Sequence, residues 1–176
     1  MTTDIIYNCD CEKKLLEIPD CSIDMILTDP PYIVKTSNNG GGCLKSIKKI
    51  KTGLDDIKNG FDVDFVFQQF ERVLKKINIF CCCSNHQISS LMQWGEDRGF
   101  ITTLLCWHKY NAVPFATGVW RSDLEFCVHI REKGATFKGD ARQKSKMFSH
   151  PIVISETGHP TEKPLSPLRL VLTKMI

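Results

Sequence analysis

The sequence predicts a single α/β domain, and three observations carry that reading. An apolar run, an amphipathic helix and a second apolar run follow one another within about thirty residues at the start of the chain. Apolar runs and helical periodicity then alternate as far as Ile130. With 176 residues, the chain is long enough to bury one sizeable core and short for two.

Asp4 to Asn8 reads as the first strand, and Cys11 to Ile18 as a helix with Leu15, Leu16 and Ile18 turned inward. Pro19-Asp20 ends that helix. Ile23 to Thr28 is a second strand, apolar enough to be buried on both faces as parallel strands are. Residues 33–60 form a mobile or functional loop that carries Asn38-Asn39-Gly40-Gly41-Gly42 and little periodicity. Asp62 to Lys76 is an amphipathic helix, with Phe65, Val66, Gln69, Phe70, Val73 and Leu74 at helical spacing. Ile77 to Cys83 is a third, buried strand. Asn85 to Arg98 is a helix capped by Gly99. Phe100 to Lys109 and Leu124 to Ile130 are two further strands. Residues 131–158 are polar and irregular, with no element assigned. Pro164 to Ile176 is a last helix with Leu165, Leu168, Leu172 and Met175 along one face.

Composition excludes more than it selects. No apolar run approaches the length of a membrane span, and the start lacks the basic residues of a signal peptide, so a cytoplasmic protein is expected. Nine cysteines in that compartment are expected as reduced thiols. Their spacing lacks the paired pattern of a tetrahedral zinc site, and no metal is expected. The net charge of +3 is modest, but its distribution is uneven. Lys45, Lys48, Lys49 and Lys51 form one basic group. Arg131, Lys133, Lys138, Arg142, Lys144 and Lys146 form another. Both read either as solvated surface or as a face that meets phosphates.

One short motif carries chemistry. Asp29-Pro30-Pro31-Tyr32 follows the apolar run Ile23 to Thr28. The exocyclic amino group of a base is a poor nucleophile, because its lone pair is delocalised into the ring. A site that accepts the amino hydrogens stabilises the charge that leaves nitrogen in the transition state. Asp29 offers an anionic acceptor, and the Pro30 carbonyl a second one on a backbone stiffened by Pro30-Pro31. Tyr32 offers a ring face on which a flipped-out base stacks. The same four residues also make good turn chemistry after a strand.

The segment from Pro19 to Tyr32 resembles the catalytic segment of DNA amino-methyltransferases of the β class, in which the cofactor half of the fold follows the substrate half. Several other segments match that family in order. Asn8-Cys9-Asp10-Cys11 resembles its acidic strand end, with Cys9 in place of the usual glycine. Trp107-His108-Lys109-Tyr110-Asn111-Ala112-Val113-Pro114 resembles its Trp-x-Lys-x-Asn-x-x-Pro segment, and Arg121 to Glu125 the start of its next strand. Thr157-Gly158-His159-Pro160-Thr161-Glu162-Lys163-Pro164 is similar to its Gly-His-Pro-Thr-(Gln/Glu)-Lys-Pro element.

The resemblance implies a Rossmann-like, S-adenosylmethionine-dependent methyltransferase fold over residues 1–176, and double-stranded DNA as substrate. It implies catalytic roles for Asp29, Pro30, Pro31 and Tyr32. Contacts with S-adenosylmethionine are implied for Asp10, Asp29, His159, Pro160, Thr161, Lys163 and Pro164. Contacts with DNA or the target base are implied for Tyr32, Trp107, Lys109, Asn111 and Pro114. Arg142 and Lys144 fall in the family's target-recognition position, residues 131–158. Asp29 favours N6 of adenine, with N4 of cytosine as the alternative. The resemblance also implies a strand and a glycine-rich cofactor loop beyond the last helix, whereas the sequence ends at Ile176. The expected fold therefore lacks two central cofactor-side strands. The chain reads as a truncated enzyme, as one half completed by a second copy or a separate chain, or as a non-catalytic DNA-binding remnant.

Overall fold

The computed structural model describes residues 5–33, 60–112, 120–135, 144–152 and 163. Within them the chain forms three helices and five strands. In order these are α1 (Cys11–Glu17), β1 (Ile26–Thr28), α2 (Val63–Val73), β2 (Asn78–Cys83), α3 (Ile88–Glu96), β3 (Ile101–His108), β4 (Leu124–Arg131) and β5 (Met147–Ser149). The strands make one mixed sheet in the order β1-β2-β4-β3-β5. β1 runs parallel to β2, β4 is antiparallel to both β2 and β3, and β5 is parallel to β3.

The period-two pattern of β2 sorts the core. Ile79, Cys81 and Cys83 face the helices and join Val66, Phe67 and Phe70 of α2, Leu91 and Trp94 of α3, and Val128 and Ile130 of β4. Phe67 is fully buried at the centre, its ring centroid 5.0 Å from Trp94 edge-on and 5.2 Å from Phe70. The opposite face holds a thinner cluster of Phe80 and Leu105 with Met25, Leu27, Cys127 and Phe148 packed against it. There His129 lies flat on Phe80, ring centroids 3.9 Å apart, and its Nε2 is 3.1 Å from Asn78 Oδ1. Burial pushes the imidazole down to about 4.

Each helix ends where its sequence provides a stop. Asp62 caps α2 by accepting from the Phe65 N–H at 3.0 Å. Gly99 follows α3 with φ at +73°, a conformation that favours glycine, and the Phe100 N–H returns to the Gly95 carbonyl at 2.9 Å. Gly95 lets α3 press on the sheet: a Cβ there would stand 2.8 Å from Thr102 Cγ2 and 2.9 Å from Ile130 Cγ2. Arg72 of α2 reaches the open end of α1, donating at 2.8 Å to both the Ile18 and the Leu15 carbonyls.

The N-terminal expectations need correction. Asp4 to Asn8 was expected as a strand, but Ile5 to Asn8 carry no strand structure, and Ile6 is 96% exposed. Among the described residues no strand lies on the outer edge of β1, so this apolar run has no ladder to join. For the same reason β1 is half-buried rather than enclosed on both faces, and it is shorter than Ile23–Thr28, with a lone bridge from Ile23 to Leu74 before it. Leu15 turns inward as expected, whereas Leu16 is exposed. α2 ends at Val73, since Leu74 is already extended, and α3 begins at Ile88. The described part of residues 131–158 includes an element that periodicity does not reveal, the three-residue β5. Trp94 packs in the core, whereas Trp120 is 99% exposed. Residues 34–59 and the expected helix over 164–176 lie outside the described residues.

Candidate active site

The carboxyl ends of the parallel strands β1, β2 and β3 share one rim of the sheet, and antiparallel β4 begins there. Open α/β sheets bind ligands at such rims. Asp29 follows β1 directly. Its Oδ1 accepts the Tyr32 hydroxyl proton at 2.8 Å, and its Oδ2 is 3.2 Å from the Lys163 ammonium. Lys163 Nζ also lies 3.0 Å from Glu125 Oε2, at the start of β4, and 4.9 Å from the centre of the Tyr32 ring. Lys109, just past β3, donates to the other Glu125 oxygen at 3.1 Å.

Two carboxylates and two ammonium groups thus alternate in the order Asp29, Lys163, Glu125, Lys109. The cations are the sequestered members, with side-chain exposures of 16% for Lys163 and 12% for Lys109 against 45% for Asp29. Burial raises the Glu125 carboxyl, but the Lys163 and Lys109 ammonium groups more than reverse this and leave it below its ordinary value. Burial lowers Lys163, and Glu125 and Asp29 reverse that too, so its ammonium is held charged. Burial and the Asp29 carboxylate keep the Tyr32 phenol neutral, far above its usual range. The most exposed carboxylate therefore faces outward while its counter-ion is held from behind.

The other expected residues fall into four groups. Trp107 and Lys109 line the same rim, with Lys109 Nζ 5.6 Å from the Trp107 ring centre. Trp107 and Asn111 are also fastened to the chain after β5. The Trp107 indole N–H donates to the His150 carbonyl at 2.9 Å, and Asn111 exchanges hydrogen bonds with the Ile152 backbone at 3.1 and 2.6 Å. Asp10 caps α1 through the Glu12 N–H at 2.9 Å. Lys144 is exposed beside β5. His159, Pro160, Thr161, Pro164, Pro114 and Arg142 lie outside the described residues. Glu125 was not singled out as a site residue by the sequence. Its only signal there was membership of the Arg121–Glu125 segment.

A cavity of about 710 Å³ lies between α1, β1 and α2. At one end it is lined by Asp10, Glu12, Asp29 and the Pro30-Pro31 backbone. Elsewhere its walls are apolar, including Ile26, Val66 and Phe70. The volume is within the range of small-molecule sites. The acidic end suits a ligand that carries positive charge, and the apolar part suits a ring system or further protein. Among the described residues no helix is long and apolar enough to cross a membrane, and no group of His, Cys, Asp or Glu is placed to hold a metal ion.

No protein-family model matches the chain. Individual proteins do. The sequence is 26% identical over 193 aligned residues to the Type II methyltransferase M2.MboI of Moraxella bovis, covering 96% of this chain and 70% of that protein. It is 31% identical over 118 residues to the Type II methyltransferase M.HinfI of Haemophilus influenzae, covering 60% of this chain and 31% of that one. Among solved structures, the cytosine-N4-specific PvuII DNA methyltransferase superimposes with a TM-score of 0.67 at 12% identity, over 97% of this chain and 69% of its own. The M1.HpyAVI complex with SAM superimposes with a TM-score of 0.59 at 19% identity, over 93% and 71%. At these identities the structural likeness speaks for the fold, which is the Rossmann-like fold of S-adenosylmethionine-dependent DNA methyltransferases. Sequence and fold point the same way: the chain is similar in sequence to Type II DNA methyltransferases and shares the fold of solved DNA methyltransferases.

Proposed function

We propose that this protein transfers a methyl group from S-adenosylmethionine to the N6 amino group of adenine in DNA. One observation carries the reading. Asp29 and Pro30 line a ligand-sized cavity together with the acidic residues Asp10 and Glu12, and the Tyr32 hydroxyl donates to the Asp29 carboxylate. Bound there, S-adenosylmethionine would supply an electrophilic methyl group on a sulfonium. The acidic end, Asp10 and Asp29 included, suits its positive charges, and the neighbouring apolar wall suits its adenine ring.

The chain's own groups then act on the nucleophile. Asp29 and the Pro30 carbonyl accept the two amino hydrogens, which localises the lone pair toward the methyl group. As the N–C bond forms and the C–S bond breaks, the amino nitrogen loses a proton along the Asp29 hydrogen bond. Tyr32, held neutral, presents a ring against which a flipped base stacks. Lys163 pairs with Asp29, and Glu125 shares the Lys163 charge so that it is not spent on Asp29 alone. Trp107 and Lys109 border the base. Lys144 and the basic residues around it meet DNA phosphates.

A second reading is N4 of cytosine, favoured by the superposition on a cytosine-N4-specific enzyme. Both amino groups offer the same two hydrogens to Asp29 and Pro30. A third concerns assembly: the edge of β1 that no described strand pairs and the exposed Ile5, Ile6 and Tyr7 fit a second copy or a separate chain that adds to the sheet. The test is incubation with methyl-labelled S-adenosylmethionine and unmethylated DNA, followed by digestion to nucleosides. Label in N6-methyladenine is the expected result. Label in N4-methylcytosine would select the second reading, and none in DNA would reject catalysis by this chain alone.

A further inference from the structure

We propose that Gln87 is a positioning residue that clamps the backbone on both sides of Tyr32 and so reserves the Pro30 carbonyl for the substrate. The inference rests on the reading of Asp29-Pro30-Pro31-Tyr32 as the nucleophile-handling segment. Gln87 stands just before α3, 54 residues from Ile33 in the chain, and is 1% exposed. A glutamine at a helix start is expected in solvent or capping its own helix, yet Gln87 makes no side-chain capping bond there. Its amide points instead into the segment that follows β1.

Every polar atom of that amide has a use. Gln87 Nε2 donates to the Pro31 carbonyl at 3.0 Å. Gln87 Oε1 accepts from the Ser84 N–H at 3.1 Å and the Ile33 N–H at 3.3 Å. The Ser84 hydroxyl, with one proton to give, lies 3.0 Å from both Gln87 Oε1 and the Ile33 carbonyl. The amide orientation is fixed by this set, since a flipped group would aim its NH₂ at two N–H donors and its oxygen at a carbonyl. Gly60 closes the other side of Ile33: a Cβ at Gly60 would be 2.7 Å from Ile33 Cγ1.

The consequence lies in what the clamp leaves alone. It takes the Pro31 carbonyl and the Ile33 N–H, so these groups cannot compete for a ligand. No described residue donates to the Pro30 carbonyl, and the Tyr32 ring projects between the two fixed points toward Lys163. One buried side chain thus separates a structural carbonyl from a functional one, one residue apart. Removing it leaves the Ser84 and Ile33 N–H groups and the Pro31 carbonyl without their partner.

The test compares wild type with Gln87→Met, which keeps the length of the side chain and loses its hydrogen bonds. Residue-resolved amide hydrogen exchange is read at Ile33, with Ile79 and Phe80 in β2 as internal controls of folding. The expected result is exchange at Ile33 at least tenfold faster with the β2 amides unchanged; Ile33 protection equal to wild type would overturn the clamp. Where Gln87→Met proves too unstable, Gln87→Glu keeps acceptor oxygens for Ile33 and Ser84 while losing the donor to Pro31. Ile33 should then stay protected, and loss of that protection would contradict the assignment. In methyl transfer to DNA, Gln87→Met should lower kcat at least tenfold and leave KM for S-adenosylmethionine within about twofold. An unchanged kcat would overturn the positioning role. A wild type that methylates no DNA counts against the proposed reaction, and the exchange result still decides the clamp.

Discussion

The two halves of this sheet are built to different standards. Around Phe67 every strand has partners on both sides or a helix above it, and all six residues of β2 are buried. Around β1 the packing thins: among the described residues β1 has one neighbour, α1 buries no residue fully, and Ile5, Ile6 and Tyr7 are exposed. The candidate site sits on the boundary. Its anchors, Glu125 and Lys109, come from the finished half, while Asp29 comes from the unfinished one. The core can therefore hold Asp29 and its ion-pair partners in place even though, among the described residues, the strand that leads to Asp29 is paired along only one edge.

That contrast can be broken by substitution. Phe67→Ala should have the largest effect, about 3–5 kcal/mol of unfolding free energy in denaturant titration, because it empties the centre of the packed half. A loss below 1 kcal/mol would mean that this half is not the core. Next comes pH. His129 titrates near 6.5 when unfolded and near 4 when folded, so its neutral form is the native one. The unfolded chain binds the extra proton between those values, and stability should fall by up to about 3 kcal/mol as pH drops through that window. His129→Phe should remove that part of the slope; an unchanged slope would assign it to other groups. Gly95→Ala should cost about 1–3 kcal/mol through the contacts its Cβ makes with Thr102 and Ile130. The smallest effect belongs to the open half: Leu16→Ala, at an exposed position, should stay within about 0.5 kcal/mol. A loss of 2 kcal/mol there would show that the N-terminal region is packed in solution.

What the sequence revealed follows the same boundary. The strands around Cys81 and Val128 and the helix through Phe70 are legible because each has a complete environment that imposes its period. Even there Phe67, the most central side chain, escaped the list, although it shares one buried stripe with Val66, Phe70 and Val73. The run Ile5-Ile6-Tyr7 has strand composition, yet a strand exists only when a neighbour accepts its hydrogen bonds, and composition cannot supply one. At the site, Asp29 and Tyr32 announce themselves by chemistry and by family likeness. Glu125 and Gln87 do not, because their importance lies in distance to residues far away in sequence. β5 was illegible for a similar reason: three residues carry no period, and only their register against Cys106, Trp107 and His108 makes them a strand.

The central claim is that Asp29 handles the nucleophile and is not needed to hold the protein or DNA together. The direct measurement is single-turnover methyl transfer by Asp29→Ala beside wild type, with DNA affinity measured at the same salt concentration. The account predicts a loss of transfer of about a thousandfold or more, with a DNA dissociation constant within about threefold of wild type. Transfer by Asp29→Ala at the wild-type rate would contradict it.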